Sequence, residues 1–408
     1  MPLTRRQVYR RRRIAVFGGL AVALGIAFYL PLTLLAPLKA VDAVLDSYAA
    51  PVQPAAALSF PGYGASAIGA VGFPGVLGSS GSTGQHPIAS ITKVVTSLVV
   101  LDAKPLAVGE QGPDITFTDL DQQFYDNQLA QNGSVEAVHA GQVISQFNLM
   151  QVMLIESANN YAESLASWAF GSEDAYLVAA NAWLAKNGLT QTTITDPSGI
   201  QPSDTSSAAD LLTIGTLAIA NPVLAQITST ASTDVPDVGQ VKNTNHLLGI
   251  DGVDGIKTGT DDLAGACLLF SADYTIGSHT VTVVGVALGG PDHDTLDANV
   301  RDLLASVVAG FHEVSLTTKG AEFASYDTPW GDTADAVAAT DETVLSWSDT
   351  PVSVAVDVDG IHTGKAGADV GTATFTVGEQ TVTVDLELDT AITDPGPWWR
   401  LTNPTLLF

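Results

Sequence analysis

The sequence predicts an α+β protein in which an antiparallel sheet with flanking helices stands beside an all-helical lobe. A membrane-spanning helix precedes it and a small β-sandwich follows. Three observations carry this. Apolar residues recur at helical spacing through residues 147–157, 160–170, 173–187 and 208–220. Two strand-like runs, 266–272 and 280–288, then share a short turn and lead into a last helix over 296–311. From about Ser315 the pattern changes to short alternating strands separated by Gly and Asp turns. Together these give domains at 1–39 (basic segment and anchor), 40–56 (stalk), 57–315 and 316–408, with no internal repeats.

The first segment is set apart by composition. Arg5, Arg6 and Arg10 to Arg13 precede an uncharged apolar run over 14–38, long enough to cross a bilayer as a helix. The arginines are expected to stay in the cytoplasm, which places everything after Lys39 outside. A cleaved signal peptide, cut near Val41-Asp42-Ala43, is the rival reading, and an uncleaved anchor fits the length of the run better. Either way the protein is exported.

Across the whole chain, 46% hydrophobic against 14% charged residues describes a folded protein. Beyond residue 39 the basic residues number 9 against 43 acidic ones, a formal charge near −34. Such a surface excludes nucleic acid and anionic lipid as partners of the exported domains, and we read it as solvation. Cys267 is the only cysteine, so no intrachain disulfide can form, and its strand-like setting predicts a buried, inert thiol.

The rest of the chain is glycine-rich over 58–77, read as loops with one or two short strands, then a flexible lead over 79–85, and loops with short strands over 114–138. Between them lies the stretch that organises the site. Residues 86–101, HPIASITKVVTSLVVL, have apolar positions at helical spacing behind Pro87, so Ser90 falls in the first turn and Lys93 one turn on, on the same face. A serine at a helix N-terminus sits in positive potential, and a lysine can take its proton once burial or a second cation lowers the lysine pKa. Alone, Ser-x-x-Lys is a weak signal, equally read as a cap and a snorkelling lysine. Two further motifs strengthen it: Ser157-Ala158-Asn159 after a helical run, and Lys257-Thr258-Gly259-Thr260 after a Gly/Asp-rich turn. S-x-x-K, S-x-N and K-T-G in this order form the motif set of penicillin-binding proteins and class A β-lactamases.

On these residues, and on Asp196-Pro197-Ser198-Gly199 and Asn243-Thr244-Asn245-His246, the chain resembles the serine D-Ala-D-Ala carboxypeptidases, the low-molecular-mass penicillin-binding proteins. The resemblance covers roughly residues 57–315. It implies the penicillin-binding-protein/β-lactamase-like fold and acyl transfer on peptidoglycan stem peptides ending in D-Ala-D-Ala, with β-lactams as inhibitors and no cofactor or metal. It further implies Ser90 as nucleophile, Lys93 as its base, Lys257 as the second cation, Ser157 as proton relay and Asn159 as holder of lysine and substrate. Thr258 and Gly259 would receive the substrate's carboxylate and backbone, and the N–H groups of Ser90 and Thr260 would form the oxyanion hole.

Two departures stand out. The second motif has Ala158 where glycine is commoner. Relatives often carry an arginine soon after the equivalent of Gly289-Gly290, whereas here the loop reads Pro291-Asp292-His293-Asp294, and Arg301 is the only arginine between Arg13 and Arg400. Two rivals remain: a β-lactamase, which lacks here the Glu-x-x-Leu-Asn context that deacylation needs, and a tethered cell-wall binding or sensing protein without turnover; an endopeptidase on cross-links is a sub-case of the enzyme reading. Asp292, His293, Asp294 and Asp297 are read as a solvated loop, and the scattered histidines as no triad.

Overall fold

The computed structural model describes residues 4–408. Helix α1, Arg5–Leu34, has thirty residues and leaves Phe17, Val22, Leu24 and Phe28 exposed to solvent. At a helical rise it measures about 45 Å, more than the hydrocarbon thickness of a bilayer. It is thus one helix long and apolar enough to cross a membrane. Beyond it the chain forms two compact units, Pro54–His312 and Glu313–Phe408, the second joined by the N-terminal stretch up to Gln53.

In the Pro54–His312 unit the elements are β1 (Ala65–Ala70), β2 (Gly78–Gly81), α2 (Thr92–Ala103), α3 (Asp119–Ala130), α4 (Gln146–Ile155), α5 (Asn159–Phe170), α6 (Glu173–Lys186), α7 (Ala208–Ala220), α8 (Pro222–Thr228), β3 (Val253–Asp261), β4 (Gly265–Ile276), β5 (His279–Gly290) and α9 (His293–Val308). The sheet is antiparallel in the order β3-β4-β5-β1-β2. Its centre reads as unbroken apolar runs because helices cover both faces: Cys267 to Phe270 are fully buried, with α7 and α9 packed on β4 and β5. On α9, Leu296, Val300, Leu303, Leu304 and Val307 are buried at i, i+4, i+7, i+8 and i+11, each contributing about 1.5–3 kcal/mol of apolar burial. Strand β3 lies at the sheet edge, which leaves one side of its backbone open.

Two stretches differ from expectation. Residues 119–130 are helix and not loop with short strands: Thr118 and Asp121 form a capping box, and since only Gln128 is buried, α3 has no apolar stripe for periodicity to reveal. Residues 78–81, expected within glycine-rich loop and flexible lead, form β2, paired with β1. The last helix also begins earlier than expected, at His293. Asp292 caps it by accepting from the Thr295 N–H, so residues 292–297 are a cap and first turn and not a solvated loop.

The other unit contains β6 (Phe311–Thr317), β7 (Glu322–Asp327), β8 (Thr333–Ala338), β9 (Glu342–Trp347), β10 (Val352–Val358), β11 (Asp369–Val377) and β12 (Gln380–Leu388), followed by α10 (Gly396–Thr402). Strands β7-β8-β12-β11-β10 form a sheet, and β6 pairs with β9. The stretch expected as a stalk joins this unit. Val44–Leu45 pair with β7, and the Tyr48 ring packs edge-on against Phe375 at 5.5 Å. The end of α1 is held in the same unit, where Tyr29 Oη donates to the Leu401 carbonyl at 2.6 Å and Arg400 donates to the Ala36 carbonyl.

Candidate active site

Ser90 is delivered by a strained approach. His86-Pro87 bridges to Thr205–Ser206, the Ile88 N–H donates to the Asp204 carbonyl, and Ala89 turns into the left-handed region at φ 46°. Ser90 then lies in a single 3-10 turn, Ala89–Ile91, that runs into α2 at Thr92. From Thr92 to Leu101 every residue of α2 is buried, so Lys93 lies wholly inside the lobe.

Lys93 Nζ is 2.8 Å from Ser90 Oγ, 2.7 Å from Asn159 Oδ1 and 2.7 Å from the Ser198 carbonyl oxygen. A neutral amine has two donors and one lone pair. With the donors on Asn159 and Ser198, the lone pair faces the Ser90 hydroxyl. Burial, and then the positive charge of Lys257, hold Lys93 well below the ordinary lysine range, against the opposing pull of Asp196, Asp204 and Glu163.

The acceptor at Ser198 is fixed by Asp196. That carboxylate accepts from the N–H groups of Ser198, Gly199 and Gln201 and from the Ser198 hydroxyl. Burial pushes Asp196 up, but hydrogen bonds from Asp204, Ser198 and Gln201 outweigh it and leave the group below its usual value. Its neighbour Asp204, fully buried, is pushed up to about 8 by burial and then by the Asp196 charge. Burial and the Asp196 charge thus favour the protonated form of Asp204, and the two carboxyls titrate as a pair.

Asn159 opens α5, two residues after Ser157, which is held at φ 63° between α4 and α5. On the opposite wall, β3 carries Lys257, Thr258, Gly259 and Thr260. Lys257 is buried and pushed down to about 7 by burial, with Nζ donating to the Thr258 carbonyl at 3.1 Å. Thr258 Oγ1 lies 2.5 Å from Thr244 Oγ1. A Cβ on Gly259 would fall 2.7 Å from the Ile88 carbonyl and 3.3 Å from the Ser90 nitrogen, so the missing side chain lets the strand edge meet the serine backbone. The three motifs thus converge.

Further groups stand around these motifs, and among them no motif marks a role for Gln128 or Glu163. Thr260 Oγ1 is 2.5 Å from His293 Nε2, on the first turn of α9. Burial lowers the His293 pKa, with Asp297 opposing and His246 and Lys257 reinforcing the shift. His246 lies 4.0 Å from Asp297. Arg301 donates to Asp251 at 2.6 Å, ahead of β3 and at the opposite end of that strand from Thr260. Gln128 and Glu163 stand behind Asn159. Cys267 is buried and its thiol pushed up to about 12 by burial. Among the described residues no cluster of His, Cys, Asp and Glu is arranged to hold a metal ion.

Comparison with solved structures defines the class. A peptidoglycan synthesis regulatory factor from Streptococcus pneumoniae superposes with TM-score 0.60 at 20% identity, over 82% of this chain and all of that one. Penicillin-binding protein 5 of Haemophilus influenzae does so with TM-score 0.57 at 20% identity, over 85% of this chain and all of that one. The fold is therefore that of the low-molecular-mass penicillin-binding proteins. The profile of the D-alanyl-D-alanine carboxypeptidases, peptidase family S11, matches residues 74–290, and the chain belongs to that family. Among curated relatives, a D-alanyl-D-alanine endopeptidase of Pseudomonas aeruginosa is 31% identical over 45% of this chain and 58% of its own length. The D-alanyl-D-alanine carboxypeptidase DacA of Escherichia coli is 28% identical over 66% of each chain. The chain thus spans a little over half the length of the first of these.

Proposed function

We propose that the chain is a membrane-anchored serine D-Ala-D-Ala carboxypeptidase that removes the terminal D-alanine of peptidoglycan stem peptides. The observation that carries this reading is the position of buried Lys93 Nζ, 2.8 Å from Ser90 Oγ and held there by Asn159 Oδ1 and the Ser198 carbonyl. Ser90 Oγ attacks the carbonyl carbon between the two D-alanines while its proton passes to Lys93. The N–H groups of Ser90 and Thr260 receive the developing oxyanion. The carbon–nitrogen bond then breaks, the leaving amine takes a proton relayed from Lys93 through Ser157, and D-alanine departs. Water hydrolyses the resulting ester, with Lys93 again the base, and restores Ser90.

Lys257, with the Thr258 hydroxyl beside it, supplies the positive charge for the substrate carboxylate. The arginine that relatives often use there has no counterpart, since Arg301 is engaged with Asp251. His293, beside Thr260, is the further cation available at acid pH. The arginines at the start of α1 keep that end in the cytoplasm, so both units stand on the cell-wall side.

Endopeptidase action on cross-links is the second reading, favoured by the Pseudomonas relative being a D-alanyl-D-alanine endopeptidase. It uses the same acyl-serine. A β-lactamase fits less well, because between Asn159 and Lys257 neither Glu163 nor Glu173 stands in the Glu-x-x-Leu-Asn context that activates the deacylating water. The test is incubation of the exported part with benzylpenicillin and with a D-Ala-D-Ala pentapeptide. A stable penicilloyl adduct on Ser90 by mass spectrometry, and D-alanine release that Ser90→Ala abolishes, are expected. An adduct elsewhere, or release unaffected by Ser90→Ala, overturns the reading.

A further inference from the structure

Behind Lys93 a line of side chains runs away from the reacting atoms. Asn159 Oδ1 accepts from Lys93 Nζ at 2.7 Å, and Asn159 Nδ2 donates to Gln128 Oε1 at 2.8 Å. Gln128 Nε2 donates in turn to Glu163 Oε1 at 2.7 Å. Asn159 and Gln128 are almost fully buried, while Glu163 is partly buried and its Oε2 has no partner among the described residues.

An amide side chain has a donor end and an acceptor end, so a chain of amides carries a direction that something must set. Here the far end sets it. A carboxylate is acceptor-only, so it can bind the NH2 end of Gln128 and not the oxygen. Gln128 must then show its oxygen to Asn159, and Asn159 its oxygen to Lys93. With either amide reversed, Asn159 would present NH2 to Lys93 and compete with Ser90 for the amine lone pair.

The surrounding backbone is shaped to close over this line. A Cβ on Gly133 would lie 2.6 Å from Gln128 Oε1 and 2.7 Å from Asn159 Nδ2, so a side chain there would have to displace the two amides that the loop after α3 covers. The same loop is tied down by the Gly133 N–H on the Gln128 carbonyl and the Asn159 N–H on the Ser134 carbonyl.

We propose that Glu163 is a positioning residue for the Ser90–Lys93 pair, holding Gln128 and Asn159 in the one orientation that leaves the Lys93 lone pair to Ser90. The proposal rests on the acyl-serine reading above and assigns that site its orientation and its response to pH. Glu163 is pushed up to about 7, chiefly by burial, against its hydrogen bond from Gln128. The other charged groups facing it are Glu173 at the start of α6 and Asp196 in the loop after that helix, both raising it, and Lys93 on α2, lowering it. In return the Glu163 charge raises the Lys93 pKa. Ionised Glu163 thus directs the amides at the cost of a more basic Lys93.

The test is the rate of Ser90 acylation by benzylpenicillin between pH 5 and 9, in the wild type, Glu163→Gln and Glu163→Leu, with thermal unfolding of each. Glu163→Gln keeps shape and an acceptor oxygen but removes the charge, so the acid limb of its profile should shift to lower pH. Glu163→Leu loses the acceptor, and its maximal rate should fall about tenfold or more, while Ser90 remains the residue modified. Glu163→Asp, a shortened acceptor, should recover part of that loss. Profiles for Glu163→Gln and Glu163→Leu that superimpose on the wild type, or losses that track unfolding alone, overturn the proposal. Absence of any Ser90 adduct in the wild type overturns the acyl-serine reading instead.

Discussion

Gly199 and Ala89, more than a hundred residues apart, meet backbone to backbone: a Cβ on Gly199 would sit 1.9 Å from the Ala89 carbonyl oxygen. Gly199 is also at φ 83°, where an L-residue is strained. The loop that offers the Ser198 carbonyl to Lys93 is therefore pressed directly against the residue before the nucleophile. Gly199→Ala should destabilise the unit by more than the ~1–2 kcal/mol that a left-handed conformation alone costs an L-residue, and should lower Ser90 acylation at least tenfold. Urea unfolding and β-lactam acylation rates measure the two effects, and wild-type values for both would mean the contact is not needed.

Replacing Lys93 by arginine keeps a cation but removes the base proposed for Ser90, since a guanidinium does not deprotonate in this range. Acylation should fall by about 10²–10⁴-fold. In the wild type, kcat/KM should rise with pH as Lys93 loses its proton and fall again as Lys257, pushed down to about 7, loses its charge. A pH–rate profile of D-alanine release shows whether the expected bell is present. A monotonic profile between pH 5 and 10 contradicts it.

His293 should act on binding and not on turnover. Protonated below its lowered pKa, it adds positive charge beside Thr260, so KM for a carboxylate-terminated peptide should fall as pH drops through that value. His293→Gln should flatten this response, and His293→Arg should lower KM severalfold at pH 8. Lys257 also gains charge as pH drops through about 7, so a smaller response should survive in His293→Gln, and a response as large as that of the wild type would leave His293 without this role.

Asp204 makes stability depend on pH in a stated direction. Its folded pKa, about 8, lies above the unfolded value, so the folded state binds the extra proton. The contribution is fully present below the unfolded pKa, near 4, and is lost as pH rises through about 8. Asp204→Asn cannot lose a proton, and its stability curve between pH 5 and 9 should be flatter than that of the wild type. Denaturant unfolding across that range checks it, and parallel curves would refute the raised pKa of Asp204.

The outline of the sheet and the helical lobe was legible because burial imposes period and composition, as in the runs through Leu268 and Val284. Helix α3 was not, because its stability comes from the Thr118–Asp121 cap and a polar surface that leaves no hydrophobic rhythm. At the site, Ser90, Lys93, Asn159 and Lys257 announced themselves through short motifs with fixed spacing. His293 and Glu163 did not. Each matters through a partner far along the chain, Thr260 for one and Gln128 for the other, and nothing local marks such pairings. The S-x-N motif, likewise, says nothing of which way the Asn159 amide is turned.

The clasp between Tyr29 and Leu401, 372 residues apart, bears on the order of assembly. Residues 29–45 find their partners only after the chain beyond residue 313 has been made, because Val44–Leu45 and the end of α1 pack on strands and a helix there. The Pro54–His312 unit can close on itself during synthesis, while the other unit stays open until those later residues follow. Maturation of that second unit is thus a late, long-range step, and a chain shortened within 313–408 should carry a finished Pro54–His312 unit and an incomplete second one.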